Sequence, residues 1–378
     1  MIESPVPKAC TACAKAHRKC GKQRPQCMRC QTRGRTCIYP PSKPTSFVPL
    51  QPDDTPASES TSSNDIVATP PSPSPLTFCL PFLSDEIASY WFASPETWTI
   101  DRPHNELISA TTRFDSTDFS RILEKVFTWL SQWVETGSNP FIHRHLYRVC
   151  FPDPIRSAYT ALSTYLHKTL GNSQVVTRII ADQVTRLVEE GLVVRAEPTC
   201  LDTLWNLSRV QALLVYQCIG LRDGEIQLRQ LTERHVPVLE SWIGTLMQQT
   251  SQAIHSLHDV DGVTPENFLW YSWIIAESVR RLWLVIGGLQ GLYKYFTTPG
   301  FMGPCLGGTM FTSRRGFWEA PSAGVWGRQC EERYAGLVRL TETEKLFTMV
   351  PQEEISEFAK LVLECTYGTE WCEERWLM

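Results

Sequence analysis

The first thing this 378-residue chain lacks is an apolar leader, since its opening dozen residues, MIESPVPKACTA, hold no hydrophobic run. A secretory route is therefore not expected, and the 14 cysteines are expected to stay reduced rather than form a disulfide framework. An uninterrupted membrane-length stretch is missing too. The most apolar long segment, Phe268–Phe296, is broken by Glu277, Arg280, Arg281 and Lys294, so it reads as a buried helix and no membrane partner is expected. Runs that alternate apolar and polar residues are scarce and no fixed-period repeat occurs, which leaves little room for a β-rich body. Gly287-Gly288 and Gly303–Gly308 lack the strand-loop-helix setting and the trailing Lys-Ser/Thr of a phosphate loop. Nothing resembles an activated nucleophile, so no enzyme is expected. With 42% hydrophobic and 20% charged residues the chain can still build a real core, which excludes full disorder and a disulfide mini-protein.

Charge of one sign is scarce in patches. Residues 1–43 contain a single acid, Glu3, against ten lysines and arginines, a charge of +9, whereas residues 44–378 carry −13, and the whole chain −4. A small basic module with a polyanionic partner, joined to an acidic body, is the simplest reading. Between them, positions 40–78 hold 10 Pro, 8 Ser and 5 Thr, and no Lys or Arg occurs from Pro44 through Asp101. Such a stretch cannot bury enough apolar surface to offset its ordering entropy, and it is predicted to be a disordered linker. It also lacks leucine heptads, so a coiled coil is not expected to follow the head.

From residue 79 to 378 the pattern is helical. Phe119, Ile122, Leu123, Val126, Phe127, Leu130 and Trp133 follow the i, i+3, i+4 rhythm between Asp118 and Glu135, with Gly137 placed to stop the helix. Asn172 is placed to cap another helix that lasts until Gly191, and Thr264-Pro265 opens a third. The body is predicted to be a large all-α domain. Within it Glu277 with Arg280 or Arg281, at i, i+3 and i+4, reads as a helix-surface ion pair, and Trp270, Trp273 and Trp283 as core. His143-Arg-His145 lacks nearby acids, so a surface or satisfied-core role is expected over metal binding. Cys79, Cys150, Cys200, Cys218, Cys305, Cys330, Cys365 and Cys372 read as scattered buried thiols.

The head, residues 1–39, is different. Cys10, Cys13, Cys20, Cys27, Cys30 and Cys37 repeat one unit, C-x2-C-x6-C, across a six-residue joint. A C-x2-C pair grips one ion from a tight turn, and a third thiolate two helical turns later closes over it; zinc suits such soft ligands and prefers tetrahedral coordination. Three thiolates per unit leave each ion one ligand short. Two zinc ions that share two bridging thiolates resolve this, because six sulfurs then supply eight bonds. So small a segment cannot stabilise itself by apolar burial, so zinc must supply much of its folding free energy, on the order of 10 kcal/mol per site. Lys15, His17, Arg18 and Lys19 share one and a half helical turns, with Ala14 and Ala16 leaving room for a duplex, so they are the candidate contacts to guanine edges or phosphates.

The duplicated cysteine unit, with Pro25 in its joint and the basic Lys15–Lys19 stretch, resembles the fungal zinc binuclear cluster (Zn2Cys6) family of transcription regulators. The resemblance implies that Cys10 and Cys27 bridge, that Cys13 and Cys20 complete one zinc, and that Cys30 and Cys37 complete the other. It implies as well that the helix after the second cysteine enters the major groove of double-stranded DNA and reads a CGG-like triplet in the nucleus. At His17 the family commonly has a base-reading lysine; either His17 reads more weakly, Arg18 or Lys19 takes over, or His17 only touches a phosphate. Leu204–Ile219, Trp270–Arg281 and the stretch from Gly307 to Trp326 look like the helical regulatory region of such regulators. That region implies regulation, dimerisation or effector response, and control of a secondary-metabolite gene cluster is a common role of members this short. The tail, Gln352–Met378, has seven Glu interleaved with aromatics, and is either a coactivator contact or a final helix packed on the body. The body also offers a route to a homodimer.

Overall fold

The computed structural model describes residues 13, 15, 20, 27–33, 91–100, 114–194, 199–254, 265–301, 309–332, 337–339, 342, 346 and 350–376. Contacts divide the chain into two units, Met1–Thr77 and Phe78–Met378. The Pro/Ser/Thr-rich segment 40–78 lies outside the described residues, as do Cys10, Cys37, Cys79, Cys305, His17, Arg18 and Lys19. The described part of the first unit includes a short helix, α1 (Met28–Thr32).

The second unit is built from helices that follow the periodicity of the sequence. Helix α2 (Ser116–Thr136) begins where the Asp118 carboxylate accepts the Asp115 backbone N–H at 2.9 Å, and it ends at Gly137. There φ is +78°, a left-handed conformation that glycine adopts without a Cβ penalty, and the Gly137 N–H closes on the Trp133 carbonyl. Two helices follow, α3 (Asp153–Leu166) and α4 (Ser173–Glu189). Asn172 precedes α4 as expected, but its side chain does not cap the helix. Its Oδ1 accepts the Thr169 N–H at 2.7 Å and its Nδ2 donates to the His167 carbonyl, so it braces the preceding turn instead.

The next helices form the core. Helix α5 (Cys200–Asp223) starts with a reciprocal cap, in which Thr199 Oγ1 accepts the Asp202 N–H and the Asp202 carboxylate accepts that of Thr199, both at 3.1 Å. From Asn206 to Gly220 every residue of α5 is buried, so neighbours surround it on all sides. Helix α6 (Ile226–Ala253) packs along it, and α7 (Pro265–Thr297) packs on α6. The α5–α6 contact is close at Gly220, where a Cβ would lie 2.8 Å from the Leu228 carbonyl oxygen and 2.1 Å from Thr232 Oγ1. Helix α7 is the interrupted apolar segment of the sequence; Trp270 and Trp273 are buried in it and Trp283 is half-buried. No helix among the described residues is long and apolar enough to cross a membrane.

Among the described residues, a short strand pair departs from an all-α body. Strands β1 (Met310–Thr312) and β2 (Leu337–Arg339) pair antiparallel, with Phe311 opposite Val338, and β1 lies against α7. A three-residue strand is too short to show an alternation in sequence, and all three residues of β1 are buried. Helix α8 (Ala323–Glu332) also packs on α7. The tail forms two helices, α9 (Glu357–Tyr367) and α10 (Thr369–Trp376), with Gly368 between them. Helix α9 sits on α2 and α7: Phe358, Leu361 and Leu363 are buried, Phe358 stacks on Trp129, and Lys125 of α2 donates to Glu364 at 2.9 Å. Each such fully buried apolar side chain contributes about 1.5–3 kcal/mol. The packed reading of the tail is therefore the one the fold adopts.

Candidate metal centre and nucleic-acid interface

Around α1 the sulfur atoms converge. Cys27 and Cys30 stand three residues apart, so one helical turn brings both thiols to one side, and both are buried although the segment is short and polar. The Sγ atoms of Cys13 and Cys27 are 3.7 Å apart, and those of Cys13, Cys20 and Cys27 all lie within 4.8 Å of one another. A disulfide needs about 2.05 Å. By contrast, the edge of a tetrahedron of sulfurs about 2.3 Å from a central zinc is about 3.8 Å, which the Cys13–Cys27 separation matches. The donor set fits zinc in kind as well, since every group in it is a thiol. Among the described residues this is the one grouping of Cys, His, Asp or Glu close enough to hold a metal ion.

The helical face presented to solvent follows from the same geometry. Cys13 and Lys15 are both helical, Cys13 buried and Lys15 exposed. Two residues along a helix is about 200° of rotation, so a chain that turns Cys13 toward the metal turns Lys15 away from it. Arg33, just past α1, is also exposed. Of the basic candidates, Lys15 is thus placed outward, while His17, Arg18 and Lys19 lie outside the described residues.

The body offers chemistry-bearing groups, and the structure gives them structural roles. Glu277, Arg280 and Arg281, expected as a surface ion pair, are fully buried on one face of α7. The three share one helix face as their spacing predicts, but that face is buried rather than exposed, because the 139–142 loop, β1 and the 91–98 segment cover it. Glu277 Oε1 accepts from Arg281 Nε at 2.9 Å and from the Thr312 N–H at 2.8 Å. Arg281 donates also to the carbonyls of Pro140 and Thr312, and its guanidinium lies 4.0 Å over the Trp318 ring. Arg280 donates to the Phe92 carbonyl and to Thr97 Oγ1, stacks 4.4 Å from the Trp98 ring, and stands 3.8 Å from Glu277 Oε2. Burial pulls the Arg280 pKa down to about 10, against the pull of Glu277. The Glu277 carboxylate is thus closed off from solvent by its own partners.

His143 is a core residue, as expected: it is buried between Trp270 and Trp318, and its Nδ1 accepts the His145 N–H. Burial first, then the nearby His145 and Arg281, hold its pKa down at about 3. The thiols of Cys200, Cys218, Cys365 and Cys372 are buried, and burial pushes those of Cys200 and Cys218 up to about 12, so they are inert. Cys150 and Cys330 are half-buried. Gly288 lies inside α7, where a Cβ would come within 2.9 Å of Cys365 Sγ, so it serves the packing of α9 and no phosphate. The local sequence holds only part of this signal: the three charges at i, i+3 and i+4 share a face of α7 with Trp270 and Trp273, but the spacing alone does not distinguish a buried cluster from an exposed one.

Comparison with known proteins bears on the head most directly. Residues 8–46 match the family described as the fungal Zn(2)-Cys(6) binuclear cluster domain. Over 96% of its length the chain is 24% identical to a protein named Transcription factor gsfR2 from Penicillium aethiopicum, covering 94% of that protein. A second similarity, to Transcription factor tstO of Talaromyces stipitatus, is 42% identity over 43 residues, 11% of this chain and 8% of the other. No solved structure matches.

Proposed function

We propose a specific reading of a chain that is, in outline, a DNA-binding transcription regulator whose fungal-type binuclear cluster domain at residues 8–46 binds two zinc ions. In this reading Cys10 and Cys27 bridge the ions, Cys13 and Cys20 complete one site, and Cys30 and Cys37 complete the other. The observation that carries it is the convergence of Cys13, Cys20 and Cys27 within 4.8 Å, since these are three of the four ligands assigned to a single ion. Zinc is structural here and the chain catalyses nothing, in keeping with relatives named as transcription factors.

The helix that carries Lys15, His17, Arg18 and Lys19 enters the major groove and reads a CGG-like triplet, while the remaining basic residues of the head neutralise phosphates. The −13 on residues 44–378 opposes contact between body and DNA, so a linker over 40–78 that keeps them apart serves both. The protein acts in the nucleus, as a monomer on one triplet or as a dimer through the helical body. The similarity to gsfR2 along almost the whole chain supports a shared role, for which we take control of a secondary-metabolite gene cluster.

The test is a titration of the zinc-loaded full chain with a CGG-containing duplex and with a scrambled duplex, at physiological salt. A mismatched base pair costs about 1–3 kcal/mol, so a preference of at least tenfold for the CGG duplex is expected, and chelation should abolish it. Equal affinity for both duplexes refutes specific readout. His17→Lys is expected to tighten binding roughly fivefold by placing a full positive charge at the groove; an unchanged affinity assigns the reading to other residues.

A further inference from the structure

Five of the ten large apolar side chains that the second unit exposes among the described residues stand at one end of its helices. Leu166 closes α3, Leu170 stands on the turn after it, Val175 and Ile179 lie one turn apart on α4, and Ile226 opens α6. The fold brings these segments together. Lys168, just past α3, holds Asp223 at the end of α5 with both carboxylate oxygens at 2.7 Å, and α6 begins at Ile226 shortly after. Leu228 of α6 in turn lines a small cavity with Ile180 and Val184 of α4. Since Val176, Ile180 and Val184 turn one face of α4 to the core, Val175 and Ile179 are left on its outer side. Together the five expose on the order of 500 Å² of apolar area, near the top of the range for a patch on a soluble monomer.

The charge around the patch names its occupant. Residues 44–378 carry −13, so two copies of the body repel over most of their surface. At this end the charges nearly cancel. Lys168 is balanced by Asp223 and Arg222 by Glu124, and Arg178 and Asp182 offset one another, which leaves Glu225 as the excess. Arg178 and Asp182 are both exposed on the side of α4 that carries Val175 and Ile179, and neither forms an ion pair among the described residues. An aliphatic patch whose rim is neutral and offers one free charge of each sign is complementary to itself, whereas a nucleic acid or a strongly charged partner finds no field to hold it there.

We propose that this end of the body is where a second copy of the chain docks, side by side about a two-fold axis that runs along α4. Leu170, Val175 and Ile179 then each meet their own counterparts, Leu166 and Ile226 flank them, and Arg178 of each copy comes within one helical turn of Asp182 of the other. The reading of the chain as a DNA-binding regulator enters only as the use of this contact, the delivery of two heads to one duplex; the association itself is measured without DNA, so either can fail alone.

Sedimentation equilibrium of the full zinc-loaded chain under reducing conditions is expected to show monomer and dimer exchanging with a dissociation constant on the order of 10 μM, because the apolar patch is smaller than the about 800 Å² that each partner buries in a standard interface. Val175→Asp and Ile179→Asp, both at exposed positions, should each weaken association at least tenfold, with thermal melts showing that the variants fold. Arg178→Asp and Asp182→Arg should each weaken it about fivefold by setting like charges across the axis, and the double reversal should restore it. A chain that stays monomeric up to about 100 μM, association unchanged in Ile179→Asp, or a double reversal no tighter than the single ones overturns the proposal.

Discussion

Truncation of Glu277 to alanine is expected to destabilise the body more than any comparable single substitution in α7. The carboxylate is fully buried, balances two buried guanidiniums, and accepts the Thr312 N–H at 2.8 Å as well as Arg281 Nε at 2.9 Å. Its removal leaves two uncompensated charges and one backbone donor without an acceptor, and breaking a buried pair from one side costs about 3–5 kcal/mol. For a unit of this size each kcal/mol lowers Tm by roughly 2–4 °C, so a loss on the order of 10 °C is expected. Glu277→Gln keeps an acceptor oxygen and loses only the charge, and is expected to cost about half as much. The triple substitution Glu277→Leu, Arg280→Met, Arg281→Met removes all the charges together and should recover a large part of the loss. Recovery should be incomplete, because the Phe92, Pro140 and Thr312 carbonyls lose their donors. Urea unfolding followed by tryptophan fluorescence measures each variant. A cost below about 1 kcal/mol for Glu277→Ala, with an unchanged denaturant slope, would mean that water reaches this carboxylate and would refute the reasoning.

Three further outcomes are expected. His143 is held neutral in the fold down to about pH 3 but takes a proton near pH 6.5 when unfolded, so stability falls as pH drops through that window, by up to about 1.4 kcal/mol per unit. His143→Gln should lose this part of the pH dependence between pH 7 and 5, and identical slopes for variant and wild type would count against a buried neutral imidazole. Gly220→Ala places a Cβ 2.8 Å from the Leu228 carbonyl oxygen and should cost about 1–3 kcal/mol by forcing α5 and α6 apart; a neutral melt would show that the helices are not in such close contact. Zinc content by mass spectrometry should fall to about one ion per chain in Cys13→Ser and to none in Cys27→Ser, because only the second removes a bridging ligand; equal retention would refute the bridging assignment.

The legible parts of this protein are those whose physics is local. Helix α2 was readable because Phe119 through Trp133 repeat at the helical period and Gly137 ends the run, and the boundaries differ by at most two residues. The metal centre was readable for a stronger reason, since ligand spacing along the chain is itself the coordination geometry folded out. Less legible were features decided by a competing local turn or by a partner distant in sequence. Asn172 has the residue type of a cap, yet its side chain pairs with Thr169 and His167, which offer it a competing local turn. The β1–β2 pair joins residues 310–312 to 337–339, and strands so short carry no period.

The sequence by itself determined the two-part character of the molecule: a basic six-cysteine head of the binuclear zinc cluster kind, and an acidic helical body with a buried long helix. Periodicity, cysteine spacing and charge count are properties of neighbours in the chain, and they suffice for that. Only the tertiary structure decided which surfaces stay wet. Glu277, Arg280 and Arg281 have the spacing of an exposed ion pair, but Phe92 and Thr97 from one side of the sequence and Thr312 and Trp318 from the other close over them. Leu170, conversely, has the character of a core residue and stands in solvent. Burial is a sum over everything that packs against a side chain, most of it far away in sequence, and no local pattern contains that sum.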